Sequence, residues 1–489
     1  MKSYIGIDLG TSGVKLILVD ENGKILNSVT KSYPISYPHD GWSEQNPEDW
    51  YKATLEGLSE LTKDTSKLEI EALSFGGQMH GLVLLDKNDN VIRPAILWND
   101  GRTGAETDYL NNIIGKDALS SNTANIAFAG FTLPKILWVK NNEIDNFNKI
   151  EKIMLPKDYL AYMLSGVFAT DLSDASGMLL LDVKNRKWSE EMIKIAGITR
   201  DMLPSLYESY EKIGTLKPEI ASKLGFGQLS IIIGAGDNAA ASVGTGAVNH
   251  GDCNISLGTS GTVFVSQDSF FVDESNALHS FCHSNGKYHL MGCILSAASC
   301  NKWWVEDILG TSDFRYEEDE CEQYMGENNV MFLPYLMGER SPHNDVNARG
   351  AFIGMRPDTT RKQMTLAVLE GVSFALRDCV EIAKSGGVVI EKTKLCGGGA
   401  KSALWRKIMA NVLGIPVIRP ETEEGPAYGG AILAMVGTGR FESVNKACGS
   451  LIKDRDVTYP DKDLTHKYEK KYQLWKKLYP ALKDIYKQF

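Results

Sequence analysis

The sequence predicts an α/β protein made of two similar domains. The five residues Leu-Gly-Thr-Ser-Gly occur at positions 9–13 and again at 257–261, each time between apolar, largely β-branched runs. That pattern is typical of a strand, a tight turn and a second strand. Strand-like and helix-like segments also alternate in both halves, and a chain of 489 residues is too long for one hydrophobic core. We therefore expect one domain over residues 1–246 and a second over residues 247–489.

The first half reads as a hairpin followed by alternating helices and strands. Residues 2–19 predict the hairpin, and a turn at residues 21–24 leads into a third strand. The apolar spacing then predicts a helix over 47–63, strands over 70–75, 82–85, 96–98 and 231–237, and a small-residue helix over 238–243.

The second half begins with the repeated hairpin near residue 249. Its spacing predicts helices over 360–384 and 402–413, a strand over 393–396 between them, and an Ala-rich helix after residue 430. The tail over residues 463–489 is rich in Lys and Tyr and predicts a solvated amphipathic helix, to which the sequence assigns no role.

The composition excludes several classes of protein. Hydrophobic residues make up 43% of the chain and charged residues 23%, as in ordinary globular proteins. The formal charge of −10 and the lack of a basic stripe argue against a nucleic-acid partner. No run approaches about 18 apolar residues, and the first residues form no signal-peptide pattern. We therefore expect no membrane span and a cytoplasmic location.

The cysteines indicate a reducing environment. All eight follow residue 252, and none forms a C-x-x-C pair. Since disulfide frameworks and zinc sites need paired or regular spacings, we expect reduced, mostly buried thiols and no zinc site.

The two repeated turns are candidate phosphate-binding sites. A glycine there can adopt a positive φ and carries no Cβ, so backbone N–H groups can approach an anion. The Thr and Ser of each copy add hydroxyl donors. Two such turns in similar domains could hold a phosphate chain from opposite sides of a cleft. The alternative is two unrelated tight turns.

Two aspartates follow predicted strands next to glycines. Asp8 directly precedes the first turn, where a carboxylate would repel a phosphate unless Mg²⁺ lay between them; the alternative is an Asx-turn to its own backbone. Asp237 follows Gly234-Ala-Gly236 at the end of a buried strand. A carboxylate there suits a general base that takes a proton from a hydroxyl, and it suits an N-cap of the following helix about equally well.

The glycines at 397–399, followed by Ala400, lie between a predicted strand and a helix. Such turns are common, and the sequence contains neither G-x-x-x-x-G-K-[ST] nor G-x-G-x-x-G in this segment. If the protein binds ATP, it therefore does so without a P-loop, and a flat backbone against the purine ring is the use we expect for these glycines.

The loop Gln78-Met79-His80 lies between glycines and could recognise hydroxyl groups. Trp98, Asn99 and Arg102 supply an aromatic wall and a donor–acceptor set, a composition common in sugar sites. For His80 the alternative is a structural histidine whose hydrogen bonds are satisfied within the loop.

The order of these segments resembles the actin/hexokinase/Hsp70-like ATPase fold, in which two actin-like, ribonuclease H-like domains flank a central cleft. Residues 130–142 (GFTLPKILWVKNN) and 350–355 (GAFIGM), with the helix after the latter, resemble the two signatures of the FGGY carbohydrate kinases. The resemblance extends from residue 3 to about residue 440.

This resemblance implies a role for each candidate. Asp237 would be the catalytic base, and Asp8 would serve the Mg²⁺ site. The sugar would contact the first domain through Met79, His80, Asn238, Trp98, Asn99 and Arg102. ATP would bind mainly to the second domain, with its phosphates near Thr11, Ser12, Gly13, Lys15, Gly258, Thr259 and Ser260 and its nucleoside against Gly398, Gly399 and Ala400.

Within the family, residues 77–81 and 97–102 resemble the branch that acts on D-xylulose. The implied reaction is transfer of the γ-phosphate of ATP to O5 of D-xylulose. The alternatives are a kinase for another pentulose or polyol, and an actin-like ATPase that acts on a protein partner. The oligomeric state stays open, a homodimer included.

Overall fold

The computed structural model describes residues 1–63, 68–422 and 424–489. Each half contains a seven-stranded mixed sheet. The chain between the third and fifth strands of the first sheet also forms helices and short two-stranded sheets. The short pairs are Glu44–Gln45 with Ala95–Ile96, Val83–Leu85 with Lys152–Met154, Ala169–Asp171 with Ser205–Tyr207, Leu181–Asp182 with Lys187–Trp188 and, in the second half, Met331–Leu333 with Ala351–Ile353.

The first sheet is built around the predicted hairpin. Its strands are β1 (Lys2–Leu9), β2 (Gly13–Asp20), β3 (Ile25–Ser32), β4 (Glu69–Gly77), β5 (Lys212–Thr215), β6 (Ser230–Ile232) and β7 (Ala235–Gly236). The spatial order is β5-β6-β4-β1-β2-β3, and β7 pairs with the end of β4. The strands β1, β2 and β3 are antiparallel neighbours, whereas β4 is parallel to β1 and β6 is parallel to β4.

The second sheet repeats this arrangement. Its strands are β8 (Cys253–Leu257), β9 (Gly261–Gln267), β10 (His279–Cys282), β11 (Tyr288–Ile294), β12 (Thr393–Cys396), β13 (Val417–Pro420) and β14 (Asp454–Thr458). The order is β10-β11-β9-β8-β12-β13-β14. The run β11-β9-β8-β12-β13 has the same order and polarity as β3-β2-β1-β4-β6. The prediction of two similar α/β units is therefore confirmed.

The helices predicted over 47–63, 238–243, 360–384 and 402–413 and the Ala-rich helix are present to within a few residues, whereas those over 132–142, 156–165 and 444–451 had no predicted counterpart. The first half contains α1 (Pro47–Leu61), α2 (Thr132–Asn142), α3 (Pro156–Ser165) and α4 (Asp237–Thr245), and the second contains α5 (Arg361–Ser385), α6 (Ala403–Leu413), α7 (Gly425–Gly437), α8 (Val444–Leu451), α9 (Lys462–Trp475) and α10 (Leu478–Tyr486). Thr360 begins α5 with a capping box, in which Thr360 and Gln363 satisfy each other's backbone N–H groups.

The tail differs from a wholly solvated helix. Tyr468, Tyr472 and Trp475 of α9 are buried in the core of the second half, and the Tyr468 hydroxyl donates to Glu370 of α5 at 2.8 Å. The Lys-rich face remains toward solvent, so the segment is amphipathic as predicted and serves as a packing helix. In the described part of the chain, no helix has the length and apolar character needed to cross a membrane.

The helix α7 belongs to the second half by sequence but packs on the first sheet. A common hydrophobic cluster joins Tyr4 and Ile17 of the first sheet to Ala427 and Ile432 of α7. Glycines make the approach possible: a Cβ on Gly6 would lie 1.8 Å from the Ala427 carbonyl oxygen, and one on Gly429 would lie 1.9 Å from the Ala240 carbonyl oxygen of α4. Backbone therefore packs directly on backbone where the halves meet. The domain division at residues 246/247 remains a prediction.

This packing yields a stability prediction. Replacing Gly429 with Ala should destabilise the protein by at least about 2 kcal/mol in denaturant unfolding, because the new methyl group meets backbone that cannot move independently. Gly449→Ala in α8 is the matched control, since nothing lies within 4 Å of its added Cβ. The control should be neutral or more stable by up to about 1 kcal/mol. Equal stabilities of the two variants would contradict the proposed close contact.

Candidate active site

A cavity of about 270 Å³ lies between the two halves. Asp237 and Asn238, the first residues of α4, line it on one side, and Gly425 and Pro426 at the start of α7 also border it. The opposite wall comes from the second hairpin and the strand ends beside it: Asn254, Ser256, Thr262, Leu395, Cys396, Gly397 and Ala400. Two helix N-termini thus converge on one space, where their backbone dipoles favour an anion.

A larger cavity of about 770 Å³ lies on the other side of the glycine loop. Gly398 and Gly399 line it, whereas the neighbouring Gly397 and Ala400 line the smaller cavity. The loop therefore has one cavity on each side. Gly398–Lys401 forms a 3-10 turn and not the flat backbone predicted from the glycines, and a Cβ on Gly398 would meet no protein atom within 4 Å, so this side of the turn faces open space.

The first turn, Gly10-Thr11-Ser12, is held by an extensive polar network. The Trp98 indole donates to the Thr11 hydroxyl at 3.0 Å, the Gln45 amide donates to the Thr11 carbonyl at 2.7 Å, and the Tyr33 hydroxyl donates to the Gly10 carbonyl at 2.5 Å. By contrast, the backbone N–H groups of Thr11 and Ser12 donate to no acceptor in the described part of the chain. Rigid, unsatisfied amides are what an anion-binding turn requires.

The second turn, Gly258-Thr259-Ser260, is fixed from its carbonyl side. Ala297 and Ala298 donate their backbone N–H groups to the carbonyls of Thr259 and Gly258 at 2.9 and 2.8 Å. Within the described residues, the N–H groups of Thr259 and Ser260 again have no acceptor. The second turn thus presents the same unsatisfied amides as the first.

Close approach, and not a positive φ, explains the glycines of the two turns. None of Gly10, Gly13, Gly258 and Gly261 is among the glycines with positive φ. A Cβ on Gly13 would lie 2.7 Å from the Lys31 carbonyl oxygen, and one on Gly261 would lie 2.8 Å from the Ile294 side chain. The turns depend on the missing side chain and not on a left-handed backbone.

Lys15 is oriented by an ion pair across the cleft. Its ammonium contacts the Glu424 carboxylate, which immediately precedes α7. Both side chains are only about one-third exposed. The predicted phosphate contact of Lys15 would therefore require exchange of this partner for a phosphate oxygen.

Asp237 and Asp8 lie close enough for their charges to interact. Burial raises the pKa of Asp237 to about 6, and two hydrogen bonds from Asn238 to the carboxylate oppose that rise. Burial and then the negative charge of Asp237 raise the pKa of Asp8 to about 7, against the lowering effect of Lys15.

The N-cap of α4 is Gly236, so Asp237 does not have the capping position that the alternative interpretation gave it. In the described residues no hydrogen bond of an Asx-turn reaches Asp8.

A buried charge cluster lies behind Asp237, and sequence reasoning missed it. Lys157 Nζ lies 2.7, 3.0 and 3.7 Å from carboxylate oxygens of Asp158, Asp171 and Asp174, all of them buried. The Ser173 hydroxyl donates to Asp171 at 2.5 Å and accepts the Gly236 N–H at 3.1 Å. The cluster therefore fixes the backbone immediately before Asp237. In the sequence, the sign of this cluster is the pair Lys157-Asp158 in the first turn of α3, a helix that is otherwise largely apolar.

Met79 and His80 lie beside Asp237. A Cβ on Gly236 would lie 3.0 Å from Met79 Sδ, so Met79 packs on the backbone that precedes Asp237. The His80 ring lies on Phe131 at 4.6 Å, and its Nδ1 is 2.8 Å from the Gly177 carbonyl. Burial lowers the pKa of His80 to about 3, so the ring is neutral. If Nδ1–H donates to that carbonyl, Nε2 is left as an acceptor for a hydroxyl group.

The other three sugar candidates lie away from this spot. Trp98 covers the first turn, and Asn99 borders a shallow surface hollow with Tyr37. Arg102 is fully buried between Trp42 and Trp138, and its guanidinium binds Asp100 and Glu44. Arg102 therefore stabilises the loop and does not reach a cavity.

Comparison with known proteins assigns the chain to a family. The FGGY family of carbohydrate kinases matches through its N-terminal domain over residues 3–244 and its C-terminal domain over residues 253–438. The chain belongs to this family and is a carbohydrate kinase. Kinases of this family take ATP as their substrate. Its two sheets and cleft are the actin-like, ribonuclease H-like ATPase fold, so that prediction is confirmed.

Individual relatives agree over nearly the whole chain. The xylulose kinase of Escherichia coli K12 is 39% identical over 487 residues, covering 98% of this chain and 99% of its own. A ligand-bound xylulose kinase from Lactobacillus acidophilus superposes with a TM-score of 0.96 at 27% identity over all of both chains. A gluconate kinase from the same organism superposes with a TM-score of 0.95 at 28% identity, covering 100% of this chain and 99% of that chain. The fold alone therefore does not select the sugar.

The open space over Gly398 gives a direct test of the larger cavity. Gly398→Val should raise the KM for ATP at least about tenfold, because the new side chain projects into the cavity. The melting temperature should not change, since the added Cβ meets no protein atom within 4 Å. Gly227→Val is the matched control, because Gly227 lies in a distant surface loop and a Cβ on it would also meet no protein atom within 4 Å. An unchanged KM for ATP in Gly398→Val would show that the nucleotide binds elsewhere.

Proposed function

We propose that the protein transfers the γ-phosphate of ATP to O5 of D-xylulose, with Asp237 as the general base. The observation that carries this proposal is the position of Asp237. Asp237 is the first residue of α4, and it lies at the wall of the cleft, next to Met79 and opposite the second hairpin. The near-full-length relatives named as xylulose kinases support D-xylulose as the acceptor.

The proposed mechanism depends mainly on positioning and electrostatics. Phosphoryl transfer leaves little covalent chemistry to the protein, because charge is spread over the transferred group. Asp237 would accept the O5 proton as the oxygen attacks phosphorus. With a pKa of about 6, its carboxylate is largely ionised at neutral pH and still basic enough to take the proton. The amide of Asn238 holds the carboxylate at 2.8 Å.

The nucleotide would extend from the larger cavity to the smaller one. We propose that the nucleoside lies against Gly398, Gly399 and Ala400, with the phosphates reaching the two turns. The unsatisfied N–H groups of Thr11, Ser12, Thr259 and Ser260 would then donate to phosphate oxygens, and Lys15 would exchange Glu424 for phosphate.

Mg²⁺ fits the acidic side of the cleft. Burial and the negative charge of the neighbouring Asp237 disfavour ionisation of Asp8, and a divalent cation between the two carboxylates would relieve that repulsion. Mg²⁺ is usually held by one or two carboxylates together with water and phosphate oxygens. Asp8 is the residue we propose for it, and the ion would neutralise charge on the phosphates. The described residues contain no cluster of three or more His, Cys, Asp or Glu that could bind a metal alone.

Substrates of this kind are cytoplasmic metabolites, and we propose the cytoplasm as the location.

The identity of the sugar that accepts the phosphate is tested by a coupled assay of ADP release with D-xylulose, D-ribulose, L-ribulose, L-xylulose, xylitol, glycerol and gluconate. D-xylulose should give the highest kcat/KM. A clear preference for gluconate or a polyol would overturn the sugar assignment but keep the kinase. ATP hydrolysis without phosphorylation of any sugar would favour the ATPase that acts on a protein partner.

The role of Asp237 is tested by Asp237→Asn, which keeps the shape and removes the proton acceptor. Loss of a general base typically lowers the rate about 10²–10⁴-fold. We expect kcat to fall by that factor while the Kd for ATP, measured by calorimetry, stays within a few-fold. Turnover close to that of the unmodified protein would exclude Asp237 as the base.

A further inference from the structure

Five aromatic rings meet at the sugar end of the cleft, and both halves contribute to them. We call His80, Phe128, Phe131, His279 and Phe281 the aromatic cluster. His279 lies parallel to Phe281 at 5.4 Å and edge-on to Phe128 at 5.1 Å, and Phe131 lies between His80 and His279 at 4.6 and 5.3 Å. The cluster therefore places side chains of the second half within one ring of the proposed sugar contact His80.

Arg340 lies against this cluster without a side-chain partner of its own. Its guanidinium carbon is 5.5 Å from the centre of the Phe128 ring, and the side chain is half-buried. Within the described residues it forms no ion pair or side-chain hydrogen bond. Its charge nevertheless contributes to lowering the pKa of both His80 and His279, so the guanidinium lies near both rings. The N–H donors of this guanidinium have no acceptor among the described residues, so they are available to the oxygen atoms of a ligand.

His279 provides a second unsatisfied polar group at the same place. The residue is 3% exposed, and its Nε2 has no hydrogen-bond partner. Burial, followed by the charge of Arg340, lowers the pKa of this ring well below its usual range, so it is neutral. Two polar side chains from the second half thus flank His80 with unused hydrogen-bonding capacity.

The backbone around Arg340 is rigid. Glu339 accepts the Leu295 and Arg340 N–H groups on one carboxylate oxygen at 3.0 and 2.8 Å. The Ser341 N–H donates to the Cys293 carbonyl on β11 at 3.0 Å, and the Ser341 hydroxyl accepts the Cys293 N–H at 3.1 Å and donates to the Ala277 carbonyl at 2.8 Å. Arg340 is therefore presented from a fixed position on the second sheet and is not carried on a loose loop.

The chemistry that matches these groups is a ligand rich in oxygen atoms that accept hydrogen bonds. Cys293 links Arg340 to the cleft: its N–H donates to the hydroxyl of Ser341, the neighbour of Arg340, and it pairs with Thr262, which lines the smaller cavity together with Asp237. A sugar with its reacting hydroxyl at Asp237 could reach Arg340 with its other end. For an open-chain ketose that end carries the carbonyl group, which a guanidinium binds through paired N–H donors.

We propose that Arg340 is a sugar-binding residue supplied by the second half, which donates hydrogen bonds to the carbonyl end of the ketose, with His279 beside it. This inference rests on the proposed function and adds to it a determinant of specificity. Recognition through a hydrogen bond to the carbonyl discriminates against an analogue in which that group is absent.

The experiment compares Arg340→Ala and Arg340→Lys with the unmodified protein, using D-xylulose as substrate and xylitol, its polyol counterpart, as a competitive inhibitor. We expect Arg340→Ala to lower kcat/KM for D-xylulose at least about tenfold through KM, with the inhibition constant of xylitol changed less than about twofold. Arg340→Lys should recover part of the loss. The KM for ATP should stay within about twofold, which also shows that the site has folded.

Arg349→Ala is the matched control, because Arg349 is exposed on the same loop and binds only neighbouring carbonyl groups. It should leave all constants unchanged. His279→Phe keeps a ring, removes Nε2 and should raise the KM for D-xylulose several-fold.

Three results would overturn the inference. An unchanged KM for D-xylulose would exclude contact, equal losses for D-xylulose and xylitol would exclude recognition of the carbonyl, and a raised KM for ATP would place Arg340 on the phosphates. If the unmodified protein phosphorylates no pentulose, the proposed function fails first, and this inference fails with it.

Discussion

The direct contact of backbone on backbone between α4 and α7 sets the geometry of the cleft. Gly244 of α4 faces the Gly425 carbonyl, and Gly429 of α7 faces the Ala240 carbonyl, at distances that leave no room for a Cβ. The two helices start at the same cavity, so this crossing brings Asp237 and Pro426 to its wall. It also makes α7 a part of the first sheet's core, which links movement of one half to the other.

The second constraint is the buried charge around Lys157. Three carboxylates surround one ammonium in the interior, an arrangement whose desolvation cost makes it weak evidence for added stability. It connects to the cleft through the Ser173 hydroxyl, which accepts the Gly236 N–H. Asp237 thus has a fixed backbone behind it, and Met79 packs on that backbone from the other side. A general base needs such fixed placement, because misplacement by about 1 Å can cost a large factor in rate.

The sequence predicted most of the fold because its signals are local. The duplicated turns, the apolar spacing of α5 and the glycines before Asp237 all act within a few residues of themselves. What it could not predict comes from distant parts of the chain. Arg102 is a residue type that is common in sugar sites, but the side chains of Trp42, Trp138 and Glu44 enclose its guanidinium. The packing of α7 on the first sheet and the approach of Arg340 to His80 likewise depend on how the two halves meet, which no local pattern records.

In the proposed mechanism, sugar and nucleotide meet between the two turns at Asp237. A crystal structure with D-xylulose and a non-hydrolysable ATP analogue tests it most directly. We expect O5 of the sugar within about 2.6–3.2 Å of the Asp237 carboxylate. The γ-phosphate should lie in line with O5 and contact backbone N–H groups of both turns, with the nucleoside over Gly398. A sugar bound away from Asp237, or a triphosphate that contacts only one turn, would contradict the account.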